Sequence, residues 1–151
     1  GDEVHWQSIP VDQIERIELI RKDRNDDFII ELSESYVTLA DEQAYPGYCI
    51  LHLKDHVEQL TQLSFDRQAR LWDDVARVAD TLMKEVAPLR LNYACLGNLL
   101  HHVHWHVIPR RADDPEVLHP IWVRPLSERR VALSGDQQRD LIGRLRQRLA
   151  R

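Results

Sequence analysis

The stretch His102-Val103-His104-Trp105-His106-Val107-Ile108 decides how this chain is read. Successive side chains on a β-strand point to opposite faces, so an extended segment here puts His102, His104 and His106 on one face and Val103, Trp105 and Val107 on the other. One face is then polar and the other belongs to a core. A strand that needed only polarity would draw on Thr, Ser or Lys, so three imidazoles in alternation point to chemistry.

Two chemistries suit the pattern. Histidine is a common ligand of zinc, nickel and copper. At about 3.3 Å per residue, however, His102 and His106 are about 13 Å apart on a straight strand, whereas ligand nitrogens sit about 2 Å from a metal. At most a neighbouring pair binds one ion, and the remaining ligands would come from His52, His56, Asp41 or Asp55. The other chemistry is nucleophilic attack at phosphorus. Neutral imidazole, with an ordinary pKa of about 6.5, is a competent nucleophile near pH 7, and neighbouring rings can offset phosphate charge and protonate a leaving oxygen. The middle ring, flanked on both sides, is the natural attacker.

Outward from this segment the pattern is that of a mixed domain. RLNYACLG (90–97) reads as the preceding strand, joined to HVHWHVIPR (102–110) by a short connection around Asn98 to His101. Upstream, Leu71, Val75, Val78, Leu82 and Val86 recur at helical spacing, which predicts an amphipathic helix over 64–87, capped by Ser64 or Asp66 and stopped by Pro88. FIIEL, YVTLAD and YCILHL are three short antiparallel strands, separated at Ser33 to Ser35 and at Gln43 to Gly47, where Tyr45-Pro46-Gly47 marks a turn. Before them, Ile14, Ile17 and Leu19 or Ile20 suggest a short N-terminal helix after Pro10, ending at Asn25-Asp26-Asp27. Four prolines make 109–126 irregular. Ser134 or Asp136 then caps a last helix carrying Leu141, Leu145 and Leu149 on one face.

At 151 residues, with 43% hydrophobic and 30% charged side chains, the chain fits one ordinary domain with a sizeable core. No apolar run approaches the roughly 18 residues that cross a bilayer. The opening GDEVHWQSIP lacks a basic region followed by an apolar stretch, so the expectation is no secretory signal and a cytoplasmic protein. Cys49 and Cys95, in apolar settings, read as buried free thiols. The net charge is -5, yet residues 124–151 hold eight Arg against Glu128, Asp136 and Asp140, leaving an acidic body. That body argues against extended nucleic-acid binding. The basic tail reads as a solvated helix face, or as a surface that meets phosphates or an acidic partner.

HVHWHVI also matches, at every position, the His-φ-His-φ-His-φ-φ signature (φ apolar) of the histidine triad, or HIT, superfamily of nucleotide hydrolases and transferases, which the chain resembles. The likeness runs over roughly residues 28–122. It takes in YVTLADEQAYPGYCILHLKDHVEQL upstream, LNYACLGN before the triad and DDPEVLHPIW after it. These last two look most like the bacterial diadenosine tetraphosphate hydrolase-like branch, with affinity to the Fhit side.

The resemblance implies an α+β, HIT-like fold, an antiparallel sheet packed with one long helix; the chain is read as a HIT-like domain over 1–126 and, outside the likeness, a basic C-terminal helical extension over 127–151. It implies a homodimer, usually formed by joining sheets, that cleaves a phosphoanhydride or phosphoramidate at the α-phosphate of an adenosine-type nucleotide through a nucleotidyl-histidine. By resemblance His104 is the nucleophile. His106 contacts the phosphate and helps the leaving group depart, His102 supports the nucleophile through its backbone carbonyl, and His56 hydrogen-bonds the triad. Asp41 resembles the ribose-binding residue, and Asn98 the amide that donates to phosphate. No protein-bound metal is implied, although Mg²⁺ could accompany a polyphosphate by coordinating its oxygens. Leu99, Leu100 and His101 depart from the Gln, Ser or Thr often found before the triad, and the Cys-x-x-Cys of some members is missing. A non-catalytic nucleotide-binding dimer and a histidine-cluster metal protein are the other readings.

Overall fold

The computed structural model describes residues 26–151; the helix expected after Pro10 lies outside them. Five strands, β1 (Phe28–Glu31), β2 (Ser35–Leu39), β3 (Cys49–Leu53), β4 (Arg90–Ala94) and β5 (His104–Arg110), form one antiparallel sheet in the order β1-β2-β3-β5-β4. The expected α+β fold is observed. Its strands are shorter than their apolar runs suggest, because pairing rather than composition sets strand ends.

Alternation along the strands divides the sheet into two faces. On one, Val37, Leu39, Cys49, Leu51 and Val107 meet the apolar stripe of α1 (Phe65–Glu85), namely Val75, Val78, Ala79 and Leu82. On the other lie Thr38, Ile50, His52, His104 and His106. Of the two cap candidates, Ser64 is the cap: its hydroxyl accepts from Arg67 N at 3.2 Å. The chain turns into β3 over Tyr45 to Tyr48, closed by Tyr48 N donating to Tyr45 O at 3.0 Å. Gly47 sits there at φ +94°, and a Cβ on it would lie 2.9 Å from Val86 Cγ2, so both conformation and space require glycine.

The segment after residue 126, set apart on sequence as a basic extension, shares this core. After the proline-rich stretch come a single turn of helix, α2 (Leu126–Arg129), and the last helix, α3 (Gly135–Leu149). Its residues Leu141, Ile142, Leu145 and Leu149 are buried with α1 and β1 residues in one cluster. Ser134 and Gln137 close a reciprocal capping box at its start. Only the outward face is basic, and there Arg144 and Arg148 reach Glu85 of α1 at 3.3 and 2.8 Å.

Two buried polar residues hold what apolar packing alone would leave loose. Arg110 is 1% exposed; its guanidinium donates to Asp114 and Asn92 side chains and to the carbonyls of Glu116 and His119, pinning the proline-rich stretch after β5. Asp74, mid-way along α1, accepts from Glu34 N at 2.9 Å and from Ser35 Oγ at 2.8 Å, fastening the β1–β2 turn to the helix. Burial holds its carboxyl above the usual carboxylate range, while these bonds work the other way. Asp74→Ala strands a buried amide and hydroxyl and is expected to lower the unfolding free energy by about 2 kcal/mol in urea denaturation, with Asp74→Asn losing less. Equal stability of Asp74→Ala and the parent would remove this role.

Candidate active site

Pairing of β3 with β5 places His52 opposite His104 and Ile50 opposite His106. The polar face of these strands floors a cavity of about 650 Å³. The loop Leu96 to Leu100 supplies one part of the wall and Trp122, Leu126, Arg129 and Arg130 supply another. The cavity thus mixes an apolar lining with a few polar and charged groups, the usual constitution of a small-molecule site.

The triad does not behave as one uniform row. The regular strand begins at His104: Leu53 N still donates in register to Val103 O at 3.1 Å, but Val103 N leaves the ladder and donates to Val57 O at 2.9 Å. His104 and His106 line the cavity, with ring centroids 4.9 Å apart and edge to face. His102 is fully buried and is not among the lining residues. The straight-strand expectation of one shared face is therefore corrected: the strand is irregular at its first triad residue.

Hydrogen-bond partners fix the tautomers. A carbonyl oxygen only accepts, so His104 Nδ1, 2.6 Å from His102 O, carries the hydrogen and Nε2 keeps the lone pair. By the same logic His102 Nε2 donates to Leu53 O at 2.8 Å, and its Nδ1 is left to accept from His56 Nδ1 at 3.0 Å. The His56 and His102 rings stack within 8° of parallel. His106 Nδ1 lies 2.6 Å from the Tyr48 hydroxyl. A phenol is the better donor and imidazole nitrogen the better acceptor, so Tyr48 donates and the hydrogen of His106 resides on Nε2.

Burial sets the charge state of this group. It pushes His104 below its ordinary value, against the opposing effect of the His102 carbonyl, and it pushes His106 down to about 3, with His104 adding to the shift. The Tyr48 hydroxyl is held well above its ordinary range by burial, and Glu42 adds to the effect. The cavity therefore presents a neutral nucleophilic nitrogen beside a neutral N–H donor at pH 7.

The remaining sequence candidates separate. Asn98 lines the cavity from the exposed loop. His56 stands with His102, outside the lining. Asp41 is exposed and opens onto a neighbouring groove of about 440 Å³ with Leu39, Gln138 and the segment Arg130 to Leu133; Arg130 borders both hollows. Among the described residues no three His, Cys, Asp or Glu side chains form a group that could hold a metal ion. The extra ligands considered on sequence are dispersed: His52 bonds Thr38 Oγ1 at 3.0 Å, His56 meets His102, and Asp55 accepts from Arg67 at 2.8 Å. Cys49 and Cys95 are free thiols, and burial pushes Cys49 up to about 12. Sequence reasoning missed Tyr48, Trp122, Arg129 and Arg130, which enter through strand register and through the segment after the prolines; only the aromatic directly after the Pro-Gly turn offered a signal. Among the described residues no helix is long and apolar enough to cross a membrane.

Comparison with known proteins places this geometry. A family model described as the HIT domain matches residues 21–113. A histidine triad protein from Bradyrhizobium japonicum is similar at 27% identity, over 82% of this chain and 92% of its own, with a TM-score of 0.69. One from Sinorhizobium meliloti is similar at 25% identity, over 87% and 93%, with a TM-score of 0.73. A hypothetical histidine triad nucleotide-binding protein from Sulfolobus tokodaii, 18% identical over 90% and 91%, shares the fold with a TM-score of 0.69. No curated protein sequence matches.

The depressed histidines make stability depend on pH with a definite sign. As pH falls below about 6.5 the unfolded chain binds protons that His104 and His106 refuse, so each ring removes up to about 1.4 kcal/mol of stability per pH unit until its folded value is reached. The imidazole signals of His106 are expected to stay at the neutral position from pH 7.5 to 5 in NMR titration, and His106→Gln to flatten the pH dependence of unfolding. Titration of His106 near 6.5 would contradict the assignment.

Proposed function

The chain belongs to the HIT domain family, and from that premise we propose that it is a nucleotide hydrolase or transferase that cleaves at the α-phosphate of an adenosine-type nucleotide through a nucleotidyl-His104 intermediate. The observation that carries this reading is the 2.6 Å bond from His104 Nδ1 to the His102 carbonyl, made inside a cavity that also holds His106. It leaves an imidazole nitrogen whose lone pair is available for attack, with its ring orientation fixed beforehand.

In the proposed reaction His104 Nε2 attacks the α-phosphorus. A phosphorus–nitrogen bond forms while the bond from phosphorus to the leaving oxygen breaks, and the electron pair departs on that oxygen. His106, through Nε2–H, donates a hydrogen bond to it, and Asn98 donates to a non-bridging phosphate oxygen. Water then attacks phosphorus, the phosphorus–nitrogen bond breaks, its pair returns to His104 and the water's proton is shed to solvent. His102 and His56 are positioning residues, since their linked rings steady the carbonyl that His104 needs. Asp41, across Arg130, is given no part in the phosphoryl step.

A neutral His106 donates a hydrogen bond more readily than a full proton. That favours leaving groups that depart as anions, as the phosphates of a dinucleoside polyphosphate do, over the amine of a phosphoramidate, which needs a proton. Mg²⁺, where present, would arrive on the polyphosphate oxygens. The edge strand β4, paired on one side only with β5 among the described strands, supports a homodimer formed by sheet joining.

Rapidly quenched intact-protein mass spectrometry with diadenosine tetraphosphate tests the reading. An AMP-sized adduct is expected on the parent and absent from His104→Ala, with turnover of that variant lowered at least about a thousandfold. Nucleotide binding with neither adduct nor product would replace the enzyme with a non-catalytic nucleotide-binding protein.

A further inference from the structure

Three charged side chains line the cavity beside the histidines: Glu42, Arg129 and Arg130. Two of them answer each other. Arg129 Nε lies 3.6 Å from a Glu42 carboxylate oxygen, both largely buried, and Arg129 Nη1 donates to Arg124 O at 2.5 Å. Arg130 has no carboxylate partner among the described residues, so these side chains leave the cavity one positive charge in excess.

The backbone that carries Arg130 is held on both sides. Arg130 N donates to Leu126 O at 3.0 Å, Ala44 N donates to Arg129 O at 3.1 Å, and Val131 is bridged to Glu42 in parallel. Arg130, a solvent-exposed residue, is thus placed at the border between the catalytic cavity and the neighbouring groove, both of which it lines. It comes from a stretch outside residues 21–113, where the family model matches. Guanidinium offers a planar fork that suits two phosphate oxygens at once, and an unanswered cation in a walled cavity draws an anion.

Resting on the hydrolase reading above, we propose that Arg130 is a substrate-binding residue that grips the phosphate groups beyond the one attacked by His104, and so selects polyanionic leaving groups. The reacting α-phosphate sits at the two histidines, and the phosphate chain runs toward Arg130. Arg129, committed to Glu42 and to the Arg124 carbonyl, shapes the wall that Arg130 extends.

Two measurements on the full chain test this. In the first, kcat/KM is measured for diadenosine tetraphosphate and for adenosine 5′-phosphoramidate, whose leaving group carries no phosphate. Arg130→Ala is expected to lower the ratio of the two by about tenfold, mainly through KM for the tetraphosphate, and Arg130→Lys to recover part of it. In the second, inorganic tripolyphosphate is titrated calorimetrically, and Arg130→Ala is expected to bind it about tenfold more weakly. An unchanged selectivity ratio, or equal tripolyphosphate affinity in the two proteins, would overturn the assignment. A parent protein that turns over neither nucleotide would refute the hydrolase reading, and the tripolyphosphate titration then decides the role of Arg130 alone.

Discussion

The site is organised by one hydrogen bond, from His104 Nδ1 to the carbonyl of a residue only two positions earlier, at 2.6 Å. A carbonyl in a regular strand is spent on a neighbouring strand. The chain frees this one by leaving the ladder before His104, while Val103 keeps its own backbone groups paired with Leu53 and Val57. The His102 ring then anchors that bend by donating to Leu53 O. Sheet register, loop position and imidazole tautomer are therefore a single arrangement.

This arrangement explains why much of the fold was legible in sequence and part of the site was not. The stripe Leu71, Val75, Val78 and Leu82 announced α1, and Ser64 and Pro88 marked its ends, because helical periodicity and capping are local properties. Alternation in 102–107 announced a strand with a chemical face. Alternation assumes an unbroken strand, however, and so could not show that His102 turns away to meet His56. Tyr48 needs its 58-residue separation from His106 to be closed by the pairing of β3 with β5, which no single-strand pattern encodes. Arg110 and Asp74 carry no local signal of their burial for the same reason. Their partners are backbone and side-chain groups brought in by the tertiary structure.

The C-terminal segment shows how a composition-based boundary can mislead. The eight arginines of residues 124–151 made 127–151 look like a separate basic extension. Charge is a property of the outward face, whereas Leu141, Ile142, Leu145 and Leu149 point into the core shared with α1. Arg77 fastens the end of the helix by donating to Leu149 O at 2.6 Å. The same segment delivers Arg129 and Arg130 to the cavity, so the part outside the family match is structurally continuous with the part inside it.

The two edges of the sheet are treated differently. On β1, Arg146 of α3 donates through Nε to Ile29 O at 2.7 Å and through Nη2 to Phe28 O at 3.1 Å, occupying backbone acceptors with a charged side chain. At the far side β4 has β5 as its sole partner among the described strands. A sheet with two open edges can add copies without limit and grow into a fibre. A sheet with a guarded edge and an open one can pair only once through its strands, and a twofold contact between like edges then closes on itself. The arginine on β1 thus closes that edge to further strand addition.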